Sequence, residues 1–432
     1  MKRLVVRGGR LIDPAAGIDG QYNIYVMGGR VASLSPFESD TSEIDPDAPG
    51  VEVIDASGKV VIPGLVDIHT HLREPGFEYK ETIKTGTEAA AAGGFTTILC
   101  MANTMPVNDN QSVTRYILKK AEEDGVVKVL PVGAVSCSLK GERMAELAEL
   151  RDAGCVAVSD DGMPVKNPNL MRRALEYTKA LDLPLVTHAE DAGLTGSGVM
   201  NEGRVSTELG LRGIPAEAEA VAVARDVSLA ELTGGRLHIA HVSTAGAVEQ
   251  IRRAKKKGIN VTAEAAPHHL RFTDEAVRGY NTNFKMNPPL RSGRDVDALK
   301  EALTDGTIDS VATDHAPHSV IEKDVEFNSA ANGVIGLETA FSALYALVEE
   351  GALSLSGLVR LMTINPSKAM NLESGTLTVG APGDITIIDL EKEWTVETEK
   401  LRSLSKNTPF AGVKMKAKVI ATIVDGNIVY RG

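Results

Sequence analysis

The sequence predicts an α/β protein in which a (β/α)8 TIM-type barrel carries a small β-sandwich domain formed by both chain ends. Three observations support this. The 432 residues suffice for a barrel and an accessory layer, buried-type strands alternate with amphipathic helices in the middle of the chain, and β-type segments bracket both ends. We expect the N-terminal part of the β domain at 1–62, the catalytic barrel at 63–373 and the C-terminal part of the β domain at 374–432.

The two ends of the chain are built from short alternating runs separated by turns, which is the pattern of β-strands. The acidic residues 39–50, with two prolines, are predicted to form a loop. Asp425-Gly426-Asn427 is a turn signal that would join two C-terminal strands. We predict strands at 4–6, 21–26, 31–34 and 51–54 and, near the C-terminus, at 384–390, 418–424 and 428–430.

The central region contains eight apolar runs of strand type with helical stretches between them, including 82–92, 113–123 and 216–232. In such a barrel the catalytic groups sit at the C-terminal ends of the strands. The alternative is a doubly wound open sheet, but no GxGxxG motif opens a first helix. The predicted barrel strands are 65–68, 96–100, 129–135, 155–159, 185–187, 237–240, 260–263 and 310–312.

Composition narrows the classes of partner. The net charge of −12 is spread along the chain, which favours a soluble protein and argues against nucleic acid or an anionic membrane as partners. No apolar run reaches transmembrane length. The three cysteines, Cys100, Cys137 and Cys155, are far apart and sit in or beside apolar runs, so we expect buried reduced thiols and a cytoplasmic location.

Histidine and aspartate side chains recur directly after the predicted strands. His69 and His71 are two apart after the first strand, so in an extended segment they point to the same side. Alone, this pair would leave a structural role as plausible as a metal site. The further residues in the same position, after strands four, five, six and eight, favour a pair of divalent ions such as zinc; they are Asp160, Asp161, His188, His241 and Asp314. A water between two such ions would be a hydroxide near neutral pH.

Other polar residues are interpreted separately. His238 lies on an apolar strand, which favours a packed role or a supporting contact behind the ligands, whereas His268 and His269 could equally line the site or be structural. Arg73 could hold an anion at the rim or be an ordinary surface arginine. Asn287, in a proline-rich loop, could supply hydrogen bonds to an amide substrate.

Two segments make the sequence resemble a known family. Asp67-Ile68-His69-Thr70-His71-Leu72-Arg73-Glu74-Pro75-Gly76 resembles the first signature of dihydroorotases, and Ala312-Thr313-Asp314-His315-Ala316-Pro317-His318, with Lys323 downstream, resembles the second. Residues 287–291 and 333–338 are similar to further family segments, so the resemblance covers nearly the whole chain. Sister families carry a carboxylated lysine after strand four. Ser159-Asp160-Asp161-Gly162 stands there instead, as in type I dihydroorotases of the amidohydrolase superfamily.

The resemblance implies roles for individual residues. His69, His71 and Asp314 would hold one zinc ion and His188 and His241 a second, with Asp161, or less readily Asp160, as the bridge. Asp314 would be the catalytic base and acid. A loop at 318–333 would cover the site, although Ala330-Ala331-Asn332 departs from the family's frequent proline there. Substrate contacts are implied for His71, Arg73, Asn103, Asn287, His318, Asn332 and Gly333.

The implied activity is the reversible, zinc-dependent cyclisation of N-carbamoyl-L-aspartate to L-dihydroorotate in de novo pyrimidine (UMP) biosynthesis. The resemblance also allows a homodimer and an aspartate transcarbamoylase partner. One alternative is another cyclic amidase (dihydropyrimidinase, hydantoinase or allantoinase), against which Arg73, Asn103 and the missing lysine argue. The other is an inactive scaffold for aspartate transcarbamoylase, against which the complete set of ligands argues.

Overall fold

The N-terminal part of the chain forms strands of a mixed sheet. The computed structural model describes residues 3–39 and 48–432, so most of the predicted loop at 39–50 lies outside the described residues. The strands are β1 (Arg3–Asp13), β2 (Ile18–Met27), β3 (Arg30–Pro36), β4 (Val51–Asp55) and β5 (Val60–Pro63). A bulge between Val6 and Gly9 divides β1. Its first half pairs in parallel with β4 and its second half with β5.

Eight parallel strands follow and form the barrel, each at its predicted place. They are β6 (Leu65–Thr70), β7 (Phe95–Cys100), β8 (Lys128–Gly133), β9 (Ala157–Ser159), β10 (Leu185–Thr187), β13 (Leu237–Ile239), β14 (Val261–Ala265) and β15 (Ser310–Val311). A short pair, β11 (Met200–Asn201) and β12 (Gly213–Ile214), is inserted after β10. The first and last strands meet through a bridge between Thr70 and His315, beside which His71 N donates to His315 O at 2.9 Å.

Two apolar layers hold the barrel together. Because side chains alternate across a strand, Val66, Ile68 and Leu99 pack inside the barrel, while Leu65 and Ile98 pack outward against the helices.

The helices are α1 (Ile83–Ala92), α2 (Gln111–Asp124), α3 (Leu147–Ala153), α4 (Pro168–Leu181), α5 (Ala192–Thr195), α6 (Arg204–Leu209), α7 (Glu217–Thr233), α8 (Ala245–Lys256), α9 (Pro267–Arg271), α10 (Gly293–Thr304), α11 (Val320–Lys323), α12 (Ala340–Glu349), α13 (Leu355–Met362) and α14 (Ile364–Ala369). Within 3–39 and 48–432, no helix has both the length and the apolar character that crossing a bilayer requires.

The C-terminal part of the chain completes the first sheet. Its strands are β16 (Ile385–Asp389), β17 (Trp394–Thr395), β18 (Lys414–Met415), β19 (Lys418–Val424) and β20 (Asn427–Arg431). β16 pairs antiparallel with β5, which joins both ends of the chain into one sheet around an apolar cluster that includes Leu4, Ile24 and Ile385. The predicted fold class, a barrel with a β unit from both ends, is confirmed. We propose Gly64, between β5 and β6, as the first domain boundary and the segment between α14 and β16 as the second.

One C-terminal segment lies outside the terminal sheet. Between β16 and β19 the chain returns to the barrel, where β17 and β18 form a two-stranded ladder. Trp394 Nε1 donates to Ser342 Oγ at 3.2 Å, and Asn407 Nδ2 donates to Ala316 O at 3.1 Å. This segment therefore packs beside the loop that follows the last barrel strand.

Candidate active site

All six predicted metal ligands lie at the carboxyl ends of barrel strands, and all are buried. Five of them form two groups that share Asp161: His69, His71 and Asp161, and Asp161, His188 and His241, with the potential ligand atoms of each group within 4.8 Å of one another. The barrel topology therefore brings residues more than 170 positions apart in the sequence into one cluster.

Asp161 occupies the centre of this cluster. Its Oδ1 lies 3.3 Å from both His69 Nε2 and His241 Nε2 and 3.5 Å from His188 Nδ1, and its Oδ2 lies 3.4 Å from His71 Nε2. Burial would raise the pKa of Asp161, but the adjacent His69 and hydrogen bonds with His188 and His241 hold it well below its usual value. The carboxylate is therefore ionised and faces both groups of imidazoles.

Asp160, the alternative bridge, faces away from the cluster. Its Oδ1 accepts hydrogen bonds from Val135 N at 2.8 Å and Ser136 N at 3.0 Å, and its Oδ2 accepts one from the Ser136 hydroxyl. Burial raises the pKa of Asp160 to about 6. With these bonds satisfied, Asp160 holds the loop after β8, and Asp161 is the carboxylate of this pair that faces the histidines.

Asp314 borders the first group. Its Oδ1 is 3.3 Å from His71 Nε2 and 3.7 Å from His69 Nε2. Burial would raise the pKa of Asp314, but the hydrogen bond with His71 and the nearby His69 and His241 lower it. The backbone φ is +48° at Asp314, +33° at His241 and +63° at Arg73. Such values are costly for residues other than glycine and are concentrated at functional sites.

The atoms of the cluster fit a divalent metal. His69 Nε2 is buried and makes no hydrogen bond, although it lies 3.3 Å from Asp161 Oδ1. His188 Nδ1 and His241 Nε2 are only 3.0 Å apart, both close to the same carboxylate. Imidazole nitrogens with carboxylate oxygens form the donor set that zinc prefers. The described residues thus form a cluster able to hold metal.

Glu264, which no sequence motif marks, contacts the candidate ligand His69. Its Oε1 lies 2.7 Å from His69 Nδ1 and its Oε2 lies 3.1 Å from His238 Nε2. A carboxylate at Nδ1 leaves the other ring nitrogen free for a metal. The sequence signal that points to Glu264 is an acidic residue near the end of an apolar strand, in Val261-Thr262-Ala263-Glu264-Ala265. His238 is buried between Glu264 and Thr262, with its Nδ1 2.8 Å from Thr262 Oγ1.

A buried cation lies beside the cluster. Arg73 Nε donates to Pro317 O at 3.2 Å, and its Nη2 is 3.4 Å from His318 Nε2. Burial lowers the pKa of Arg73 to about 10, and burial together with Arg73 lowers the pKa of His318 to about 3, so Arg73 is charged and His318 is neutral at pH 7. His318 Nε2 donates to Asn332 O at 2.9 Å. Four predicted substrate residues, Arg73, His318, Asn332 and Gly333, therefore lie together.

The other predicted substrate residues contact the histidine ligands. Asn103 Oδ1 lies 2.8 Å from His71 Nδ1. Asn287 Nδ2 donates to Glu190 Oε2 at 2.7 Å and lies 3.4 Å from His188 Nε2, while its Oδ1 is buried without a partner. Glu190 was not selected from the sequence, although it stands two residues after His188.

His268 and His269 lie in the short helix α9 after β14, and both are buried. His269 Nε2 donates to Pro288 O at 2.8 Å, which ties the helix to the proline-rich loop. His268 Nε2 has no hydrogen-bond partner, and burial lowers the pKa of His268 to about 4. His269 thus has a structural contact, whereas His268 is a neutral side chain next to the site.

The barrel and its His–Asp cluster define the class of barrel hydrolases that includes the hydantoinases. L-hydantoinase (dihydropyrimidinase) from Arthrobacter aurescens superimposes with a TM-score of 0.89 and 28% identity over 100% of this chain and 96% of that chain. Dihydropyrimidinase from Brevibacillus agri gives a TM-score of 0.85 and 25% identity over 99% of this chain and 95% of that chain.

Sequence relatives narrow the class further. A family model described as dihydro-orotase-like matches residues 58–247. The dihydroorotase of Syntrophotalea carbinolica is 56% identical over 429 residues, covering 99% of each chain. That of Citrifermentans bemidjiense is 56% identical over 428 residues, again covering 99% of each chain. The chain belongs to the dihydroorotase family.

Proposed function

We propose that this protein catalyses the reversible hydrolysis of L-dihydroorotate to N-carbamoyl-L-aspartate, and hence its formation in pyrimidine biosynthesis. The observation that carries the proposal is the buried Arg73 guanidinium next to the Asp161 cluster. A fixed cation beside a hydrolytic centre suits a cyclic amide that carries a carboxylate. Family membership at 56% identity supports the same substrate.

Two zinc ions fit the donor set as the cofactor. His69, His71 and Asp314 would hold one ion, His188 and His241 the other, and Asp161 would contact both. When bound, zinc supplies Lewis acidity that polarises the amide carbonyl and lowers the pKa of water towards neutrality.

The protein's own residues position the substrate and move the proton. Arg73 and Asn103 would bind the exocyclic carboxylate, and the unpaired Oδ1 of Asn287 would accept a hydrogen bond from the ring. This fixes one orientation of the carbonyl to be attacked. His318 and the backbone of Asn332 and Gly333 would contact the rest of the ring.

Asp314 is the proposed general base and general acid. Its ionised carboxylate takes a proton from the attacking water as the new C–O bond forms. It then returns that proton to the ring nitrogen as the C–N bond breaks. The reverse sequence closes the ring and releases water.

The assembly and location of the protein are further proposals. The free thiols Cys100, Cys137 and Cys155 suit a reducing compartment, so we propose action in the cytoplasm. The homodimer and the aspartate transcarbamoylase partner stay predictions from the family. Analytical ultracentrifugation, alone and with a transcarbamoylase, would test both.

The function is tested by following dihydroorotate in both directions with the purified chain, before and after zinc addition. We expect zinc-stimulated turnover of L-dihydroorotate and of N-carbamoyl-L-aspartate. Hydantoin, dihydrouracil and allantoin serve as matched substrates, because they lack the carboxylate that Arg73 would bind. Preferential turnover of one of them would identify another cyclic amidase. A folded chain that neither takes up zinc nor turns over any of these substrates would instead support a scaffold.

A further inference from the structure

The C-terminal segment 401–408 is attached to the barrel at two acidic side chains. Glu81 Oε1 accepts a hydrogen bond from Leu404 N at 3.0 Å, and Glu81 Oε2 accepts one from the Ser403 hydroxyl. Glu338 accepts hydrogen bonds from Arg402 N at 2.8 Å and Ser403 N at 3.1 Å. These contacts hold the segment beside the loop that follows β15.

Asn407, within this segment, joins both sides of that loop. Its Nδ2 donates to Ala316 O at 3.1 Å and Gly333 O at 3.0 Å, and its Oδ1 accepts from His318 N at 3.1 Å. Its own carbonyl accepts from Ile335 N at 2.9 Å. Asn407 is 4% exposed, so water cannot readily replace these bonds.

The bonded groups belong to the proposed substrate-binding end of the site. Gly333 has φ +135°, and a Cβ there would stand 2.7 Å from Ala316 Cβ, so glycine alone fits. The Gly333 carbonyl also accepts from Lys323 Nζ at 3.0 Å. His318, whose N–H is bonded to Asn407, contacts Arg73 with its side chain.

Asp314 has a support that does not involve Asn407. Its neighbour His315 forms a bridge with Thr70 at the end of β6, and His71 N donates to His315 O at 2.9 Å. His315 also bridges Val334, next to Gly333, so only the link to β6 is independent of the segment that Asn407 holds. We therefore expect loss of the Asn407 amide to disturb His318 and Gly333, while the link to β6 keeps Asp314 in place.

We propose that Asn407 is a positioning residue for substrate binding: from outside the barrel it fixes the groups that contact dihydroorotate without touching the substrate itself. This inference rests on the proposed function. The predicted signature is a change in KM separate from kcat and from metal content, which general destabilisation would not produce.

The variant N407D tests this with an isosteric side chain. It keeps the acceptor for His318 N but places a carboxylate oxygen against the carbonyls of Ala316 and Gly333. We expect the KM for L-dihydroorotate to rise about tenfold, while kcat and zinc content stay within about twofold. The matched control is N365A, which removes the bond from Asn365 Nδ2 to Asp309 O at 2.7 Å elsewhere on the barrel and should keep the wild-type KM.

Hydrogen exchange supplies a second measurement that requires no turnover. In N407D and in N407A, amides within 316–336 should exchange faster, with the rest of the barrel unchanged. An unchanged KM in folded N407D, or a fall in kcat in proportion to lost zinc, would overturn the inference. If the wild type does not act on dihydroorotate, the proposed function fails, and the exchange pattern still decides whether Asn407 holds the loop.

Discussion

At the scale of single residues, three of the four candidate ligand histidines, His69, His71 and His188, direct one ring nitrogen to the cluster and the other to a supporting side chain. The Nδ1 of the fourth, His241, is buried without a hydrogen-bond partner. His69 uses Nδ1 for Glu264, and His71 uses Nδ1 for Asn103. Such supporting contacts fix the ring and its tautomer. The cluster of candidate ligands could be predicted because each lies within three residues of the end of a barrel strand, whereas Glu264 and Glu190 make contacts that only the folded barrel creates.

The substitution D314N tests the proposed acid–base role of Asp314. Asn keeps the shape of the side chain but cannot take a proton, and it is a poorer metal ligand. We expect kcat to fall by about a thousandfold or more while the fold persists. The measurement is kcat alongside circular dichroism. D182N is the control, because the Asp182 side chain is 80% exposed in its contact with Arg236; near-normal turnover in folded D314N would refute the role.

The substitution E264Q tests whether Glu264 supports His69 as a metal ligand. Gln can still accept a bond from Nδ1 but loses the charge that makes the imidazole a better ligand. Zinc affinity should fall by about tenfold or more, as measured by competition with a chelator. E231Q serves as control, since the Glu231 side chain is 52% exposed. Equal zinc affinities in E264Q and the wild type would mean that Glu264 has only a packing role.

At the scale of elements, most candidate site residues lie on the loops that follow the barrel strands. Buried polar side chains connect these loops to one another. Arg291 is 2% exposed and connects three of them: it donates to Ser243 Oγ at 3.1 Å, Asn201 Oδ1 at 3.2 Å and Ile214 O at 2.8 Å. The insertion that carries β11 and β12 is thereby joined to the loops after β13 and β14.

The substitution R291M tests the connection that Arg291 makes between these loops. Removing the guanidinium leaves buried acceptors unpaired, so the free energy of unfolding should fall by about 3 kcal/mol. Thermal and urea unfolding would measure it. In R253M, on a side chain that is 65% exposed, the change should stay below about 0.5 kcal/mol. A similar small loss in R291M would show that its bonds contribute little.

Strands were predicted correctly where apolar runs alternate with helical patterns, and they were missed where a strand is very short or directly adjoins another strand. The eight barrel strands are continuous apolar runs between helical patterns, and all eight form. β5 was not predicted. A single glycine separates Val60–Pro63 from β6, so the sequence shows one apolar run where the structure has two strands. β17 and β18 have two residues each and exist through contacts with the barrel, which no local pattern encodes.

At the scale of the whole molecule, metal and stability are linked. The cluster gathers two buried carboxylates and four imidazoles, and a bound cation offsets the cost of burying those charges. Zinc at one hundred times its dissociation constant should add about 2.7 kcal/mol to the free energy of unfolding.

Chelation should therefore lower the melting temperature, and zinc should restore it. Magnesium is the control, because it prefers oxygen ligands and should not substitute. The measurement is thermal unfolding of the chelated chain with each ion. A melting temperature that is the same with and without zinc would contradict a resident metal at this cluster.

The pairing of β16 with β5 also affects how the protein is made. Ile385 lies opposite Pro63, more than three hundred residues earlier in the chain. During synthesis one edge of β5 is therefore unpaired until β16, more than three hundred residues later, has left the ribosome. Unpaired edges favour association with other chains. Asn407 is synthesised later still. A ribosome-bound chain halted before residue 385 should thus contain every candidate metal ligand and yet be prone to aggregation, so the pairing of β16 with β5 is the step that ends this exposure.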